Sequence, residues 1–160
     1  MGHAMIQRRS DIEPLRAILH RAMVRYLSVK PRGFLLTTRG DPLPVIEARI
    51  LSFGGARTLY KDRRPDCRSL DGVHSASHLG RRCAGCDDKN NCTSQVRVDI
   101  IVDARAFRLL LAHTSARNFL AYEADLRVKR ISLDQPLHRL EVVNRGTWGE
   151  TRFSCEECQP

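Results

Sequence analysis

"QVRVDIIVDARAFRLLLAH", residues 95–113, decides how this chain folds. Through Val102 it alternates. Val96, Val98, Ile100 and Val102 fall on one side, and Arg97, Asp99, Ile101 and Asp103 on the other. Successive side chains of a strand point to opposite faces, so this period predicts a strand with one buried face. A tight turn at Asp103–Arg105 returns the chain into "AFRLLLAH". Phe107 there shares parity with Leu109 and Leu111 and so belongs to the core. "TSARNFLAYEADLRVKR" follows as a helix capped by Thr114 or Ser115, with Phe119, Leu120, Leu126 and Val128 as core contacts.

Downstream, "HRLEVVN", the turn "RGTWG" and "ETRFSCEE" form a hairpin. Upstream, "GFLLTT" and "LPVIEARILSF" read as strands around the breaker-rich "RGDPLP". "GGARTLYKDRRPD" reads as a basic loop leading into residues 67–92, which are rich in cysteine and show no periodicity. From residue 44 the order is strand, cysteine insert, strand, strand, helix, strand, strand. That is the order of a five-stranded OB barrel. The expected fold is therefore β-rich α+β. A five-stranded OB-like barrel spans 33–155, with a zinc-binding insert (67–92) between strands 1 and 2 and one helix between strands 3 and 4. Residues 156–160 form a tail. Residues 1–32 hold an N-terminal tail and an amphipathic helix over 10–28, where Ser10 and Glu13 make a capping box. Ile12, Leu15, Leu19, Ala22 and Tyr26 form its apolar stripe.

The 160 residues, 42% hydrophobic and 28% charged, suit a globular chain. No apolar run reaches the roughly 18 residues of a membrane span, so no membrane partner is expected. The opening "MGHAMIQRRS" has no hydrophobic signal core, which points to a cytoplasmic location. The net charge is +9, and residues 1–66 supply most of it, with 13 basic and 6 acidic side chains. A basic domain of this kind suits a polyanionic partner.

The cysteines argue for metal. Cys67, Cys83, Cys86 and Cys92 are separated by fifteen, two and five residues. Clustered cysteines in a cytoplasmic chain favour metal over disulfides. A C-x-x-C turn brings two sulfurs to one zinc, and two more close the tetrahedron at about 2.3 Å each. A closed shell is structural, and its binding energy would order a segment that has no core. A second ligand set stays open, Cys83 and Cys86 with Cys155 and Cys158, and His74 or His78 could replace a cysteine.

The arrangement resembles a known family. A barrel whose first two strands are separated by a cysteine-rich insert looks like the third DNA-binding domain of the replication protein A large subunit. "VRVDIIVDARAFRLLLAHTSARNFL" is similar in style to that family's second strand, third strand and helix, within a match covering about residues 44–155. "CRSLDG" and "CAGC" also resemble short zinc-binding proteins of phages and mobile elements. The resemblance implies single-strand binding across the barrel face, with a zinc ribbon bracing the adjoining loop. The chain departs from the family in its N-terminal helix, its terminal C-x-x-C and its few aromatics on the candidate face.

Single-strand binding needs a basic track and flat rings for stacking. Each expected barrel strand offers one outward arginine: Arg49, Arg97, Arg108, Arg139 and Arg152. Arg57, Tyr60, Lys61, Arg63 and Arg64 make a loop patch, Arg81 and Arg82 stand at the knuckle, and Trp148 is the stacking candidate. Glu47, Asp99, Glu141 and Glu150 share the outward parity, so cross-strand ion pairs are a competing account. There is no zinc-deaminase signature, P-loop or dinucleotide fingerprint, and no enzyme is expected. The expected partner is single-stranded nucleic acid, DNA before RNA. The alternative is a zinc-braced interaction subunit of a larger nucleic-acid or mobile-element complex, meeting a protein through helix 10–28.

Overall fold

The computed structural model describes residues 24–75 and 81–158. In chain order the strands are β1 (Arg25–Tyr26), β2 (Ser28–Lys30), β3 (Gly33–Leu35), β4 (Val45–Lys61), β5 (Arg64–Ser69), β6 (Thr93–Val102) and β7 (Arg105–Ala112). Helix α1 (His113–Val128), β8 (His138–Asn144) and β9 (Gly149–Ser154) complete the order.

The opening stretch forms the expected strand pair, but β6 is buried on both faces from Val98 to Val102, Asp99 and Ile101 included. β6 and β7 pair antiparallel from Val102↔Arg105 to Gln95↔Ala112. Asp103 and Ala104 turn the chain at φ 47° and 60°. Two consecutive left-handed residues give the tight turn whose twist suits the flanking strands. Val98, Ile100, Phe107, Leu109 and Leu111 are buried against Ile46 and Ile50 of β4, Leu140 of β8 and Phe119 of α1. Each such side chain contributes about 1.5–3 kcal/mol by leaving water, so this cluster sets the fold. β8 and β9 pair as the expected second hairpin.

The barrel does not close. The main sheet is open, ordered β1-β7-β6-β4-β8-β9, with β5 also on β4, and β2 and β3 form a separate pair. The chain preceding β4 accounts for the open seam. β1 takes the outer edge of β7 in parallel (Arg25↔Phe107, Tyr26↔Arg108), and the Leu27 N–H donates to the Arg108 carbonyl at 2.9 Å. β2 lies against β9, so closely that a Cβ on Gly149 would stand 2.5 Å from the Lys30 carbonyl oxygen. β7 and β9 are thus kept from pairing.

Three further expectations are corrected. "GGARTLYKDRR" is not a loop. β4 runs 17 residues, pairing first with β8, then from Arg49 with β6 through an irregularity at Ile50/Ser52, and at its end with β5. The N-terminal amphipathic helix is not supported. Residues 10–23 lie outside the described residues, and Arg25–Tyr26 and Ser28 are strand. Tyr26, expected on an apolar stripe, lies beneath the Arg68 guanidinium at 4.4 Å. Finally, α1 begins after Ala112 with no side-chain cap. The Ser115 hydroxyl instead accepts from the Thr151 N–H at 3.0 Å. Leu120 and Val128 face solvent, while Phe119 and Leu126 are buried. Among the described residues no helix is long and apolar enough to cross a membrane.

Candidate nucleic-acid interface

The arginines expected along the strands divide by partner. Asp99 is buried in β6 and gathers three groups. The Ser52 hydroxyl donates to it at 3.0 Å, Arg108 Nε donates at 2.8 Å, and Arg97 Nε lies 3.3 Å away. Arg97 also donates to the Leu70 carbonyl at 2.7 Å. Glu150 does the same on β9. Arg145 and Arg152 donate to it at 2.7 and 3.0 Å, and Asn118 donates at 3.1 Å. Those bonds, Arg145 first and Arg152 next, hold the Glu150 carboxyl down at about 2. Arg97, Arg108 and Arg152 are therefore tied to carboxylates of the sheet itself. Arg49 is half-buried opposite Ile101, and Arg139 is exposed on β8 between Glu47 and Ser154.

The loop residues come together differently. The β4–β5 hairpin turns at Asp62 and Arg63, with φ 49° and 63°, and pairs Lys61↔Arg64 and Tyr60↔Pro65. Tyr60, Lys61, Arg63 and Arg64 are exposed at this tip, and Arg57 is half-buried at its root. Lys61 meets Asp66 at 3.1 Å, both well exposed. Among the described residues, Arg63, Arg64, Arg81 and Arg82 form no ion pair with an Asp or Glu.

Cys67, Cys83, Cys86 and Cys92 line one cavity of about 280 Å³ beside this hairpin, together with Lys61, Arg81, Arg82 and Lys89. The spacing thus predicted the neighbourhood. It did not predict coordination. Among the described residues no group of three or more His, Cys, Asp or Glu is placed to hold a metal ion, so the zinc expectation is not supported. The thiols have other partners. Cys67 Sγ lies 3.2 Å from the Ser75 hydroxyl, and Cys92 Sγ donates to the Asp88 carbonyl at 3.6 Å. Burial, then the neighbouring thiols of Cys86, Cys67 and Cys83, push the Cys92 thiol up.

Backbone bonds supply the order that metal was expected to supply. The Ser75 N–H donates to Arg81, Cys83 to Val73, Cys86 to Cys83, and Lys89 to Cys86. The Asp71 carboxylate caps the Val73 and His74 N–H groups at 2.7 Å and holds the His74 ring at 2.8 Å. The rival ligand set also falls, because Cys155 and Cys158 form a disulfide packed on Leu126.

Trp148 stands apart from the hairpin tip, 45% exposed in the β8–β9 turn. It borders a second cavity of about 360 Å³ between the end of β7 and the start of β9. Sequence reading missed two residues there, His113 and Thr151. His113 opens α1 at φ 48°, and Thr151 is 1% exposed. A polar residue within an alternating strand is the signal that could have found Thr151. His138, buried in β8, is structural. Its Nε2 donates to the Leu133 carbonyl and its Nδ1 accepts from the Tyr122 hydroxyl, each at 2.6 Å. No protein family, curated protein or solved structure matches the chain.

Proposed function

We propose that this protein binds single-stranded nucleic acid, DNA before RNA, chiefly through its phosphates. The β4–β5 hairpin tip is the main contact. One observation carries the reading: among the described residues, exposed Arg63 and Arg64, with Tyr60 close by on β4 and Arg81 and Arg82 nearby, lack the carboxylates that occupy the strand arginines. Arginine forks grip phosphate oxygens, and an exposed ring beside them offers a stacking surface. Arg97, Arg108 and Arg152 are assigned to the fold. The net charge of +9 adds long-range attraction for a polyanion.

The test is fluorescence anisotropy with a labelled strand of about 20 nucleotides, titrated across salt. Log affinity should fall with log salt at about 0.7 per phosphate contacted. In Arg63→Glu/Arg64→Glu the slope should shrink by about 1.4. Absence of binding at low salt, or a slope unchanged in the double variant, refutes the assignment.

A further inference from the structure

The four thiols around the cavity beside the hairpin are not equivalent. Leu59 of β4 forms part of the wall of that cavity. Cys67 of β5 pairs with Leu59 on one side of β4, and on the other side Thr58 pairs with Thr93, which Cys92 directly precedes. Cys67 and Cys92 thus stand two strand spacings apart, about 9–10 Å between backbones. A disulfide needs Cα atoms within about 7 Å, so this pair cannot close without moving the sheet. Each of these two thiols also has a polar neighbour, the Ser75 hydroxyl for Cys67 and the Asp88 carbonyl for Cys92.

Cys83 and Cys86 differ on both counts. A 3₁₀ turn over Cys83–Gly85 folds them together, and the Cys86 N–H donates to the Cys83 carbonyl at 3.1 Å. A turn closed in this way holds its first and fourth Cα atoms within about 7 Å, inside disulfide reach. The chain closes the same spacing at its other C-x-x-C. Cys155 and Cys158, joined through the 3₁₀ turn Glu156–Cys158, form a disulfide with Cα atoms 5.2 Å apart. Among the described residues the Cys83 and Cys86 sulfurs have no hydrogen-bond partner, and both residues are partly exposed. Partial exposure admits a reagent, whereas a thiol sealed in a core is inert.

The charges on the same wall select the reagent. Lys61, Arg81, Arg82 and Lys89 face the cavity with only Asp66 and Asp88 to balance them. Lys61 and Asp66 are paired with each other. Among the described residues Arg81, Arg82 and Lys89 have no ion pair. Lys89 reaches into the turn itself, its Nζ donating to the Ala84 carbonyl at 3.4 Å. An excess of one sign around a cleft concentrates molecules of the other sign there.

We infer that Cys83 and Cys86 form a dithiol site for thiol–disulfide exchange with small anionic disulfides, of the class of peptide disulfides that carry free carboxylates. The Cys83 thiolate, next to Arg82, attacks one sulfur of the reagent. The reagent's S–S bond breaks, one reagent thiolate leaves, and a mixed disulfide forms on Cys83. The Cys86 thiolate then attacks the Cys83 sulfur, the mixed bond breaks, and the second reagent thiolate leaves. The protein dithiol is oxidised by two electrons, the reagent is reduced to two thiols, and the two cysteine protons pass to the departing thiolates. This activity goes beyond strand binding and does not depend on it.

The probes are oxidised glutathione, a dianion, and cystamine, a dication. After exposure and alkylation, trypsin releases residues 83–89, which hold Cys83 and Cys86 and no other cysteine. Exchange should leave this peptide unalkylated and two hydrogens lighter than the dithiol, while Cys67 and Cys92, in their own peptides, stay alkylated. Oxidised glutathione should react at least about tenfold faster than cystamine at low salt, and the gap should close toward about 1 M salt. Arg81→Gln/Arg82→Gln should narrow the low-salt gap at least about threefold. The reporting peptide then begins at Ser69 and still holds only these two cysteines. Cys86→Ser lacks the second thiol and should retain one glutathione on Cys83. A peptide 83–89 that stays doubly alkylated, or that loses its thiols no faster than Cys67 and Cys92 lose theirs, overturns the site. Equal rates for the two reagents at low salt overturn the assignment of an anionic substrate.

Discussion

Replacing Asp99 by Asn should damage the fold, not the interface. Asp99 has a side chain only 5% exposed, and it faces Arg97 and Arg108, whose side chains are 22% and 19% exposed. Asn keeps one oxygen acceptor and turns the other position into a donor facing a guanidinium. It therefore loses at least one charge-assisted bond, of about 1.5–3 kcal/mol, and leaves two enclosed cations without their counter-charge. Partial exposure of both arginines lets water screen some of this, so the expected loss is about 2–4 kcal/mol. For a chain of this size that corresponds to a melting temperature lower by about 5–15 °C. A double-mutant cycle of Asp99→Asn with Arg108→Gln isolates the pair and should give a coupling of about 1–3 kcal/mol. Arg97→Gln should likewise lower stability while the salt slope of strand binding stays the same. A melting shift under about 2 °C, with a coupling near zero, would show that these arginines do not hold the sheet and would return them to the interface.

Two other outcomes test the fold. Burial holds His138 below its ordinary 6.5, so the unfolded chain takes up a proton first as the solution is acidified. Stability should be level above about pH 6.5 and fall from there toward pH 5 in urea titrations, and a slope absent over that window would refute the neutral buried ring. Gly149→Ala would press a Cβ to 2.5 Å from the Lys30 carbonyl oxygen and 2.6 Å from Val142 Cγ1. Because one neighbour is backbone, it should cost about 2–3 kcal/mol in chemical denaturation; a cost under about 0.5 kcal/mol would show that β2 does not sit against β9.

What could be read from the sequence follows the range of the interactions involved. Both hairpins around α1 were legible, because alternation and turn residues are local signals that burial then confirms at Val98, Ile100 and Leu140. β4 was not. Gly54 and Gly55 and the charges after them look like loop, yet Gly54 pairs with Arg97 and Arg57 with both Ser94 and Ser69. Partners distant in sequence overrode the local preference. The open seam was equally hidden, since it depends on where residues 25–30 lie, and two or three residues of strand carry no period. In the site, spacing brought the four cysteines around one cavity but said nothing of how their sulfurs are used. The shared parity of Asp99 with its arginines signalled ion pairing in advance. Thr151 gave only the weak signal of a polar residue on an inward phase.

β4 also sets how this chain reaches its native state. Its first residues pair with β8 (Ala48↔His138), ninety positions away, while its last pair within a few residues of themselves (Lys61↔Arg64). The basic hairpin can thus form early, in microseconds, as an isolated piece. The core it extends from must wait for a long loop closure whose entropic cost is met only when β8 arrives. During synthesis the hairpin and the cysteine segment would emerge before the strand that anchors them. For that interval the arm would carry its arginines on a chain without a finished sheet. Slow, millisecond-to-second refolding limited by β4–β8 pairing is the kinetic signature of this architecture.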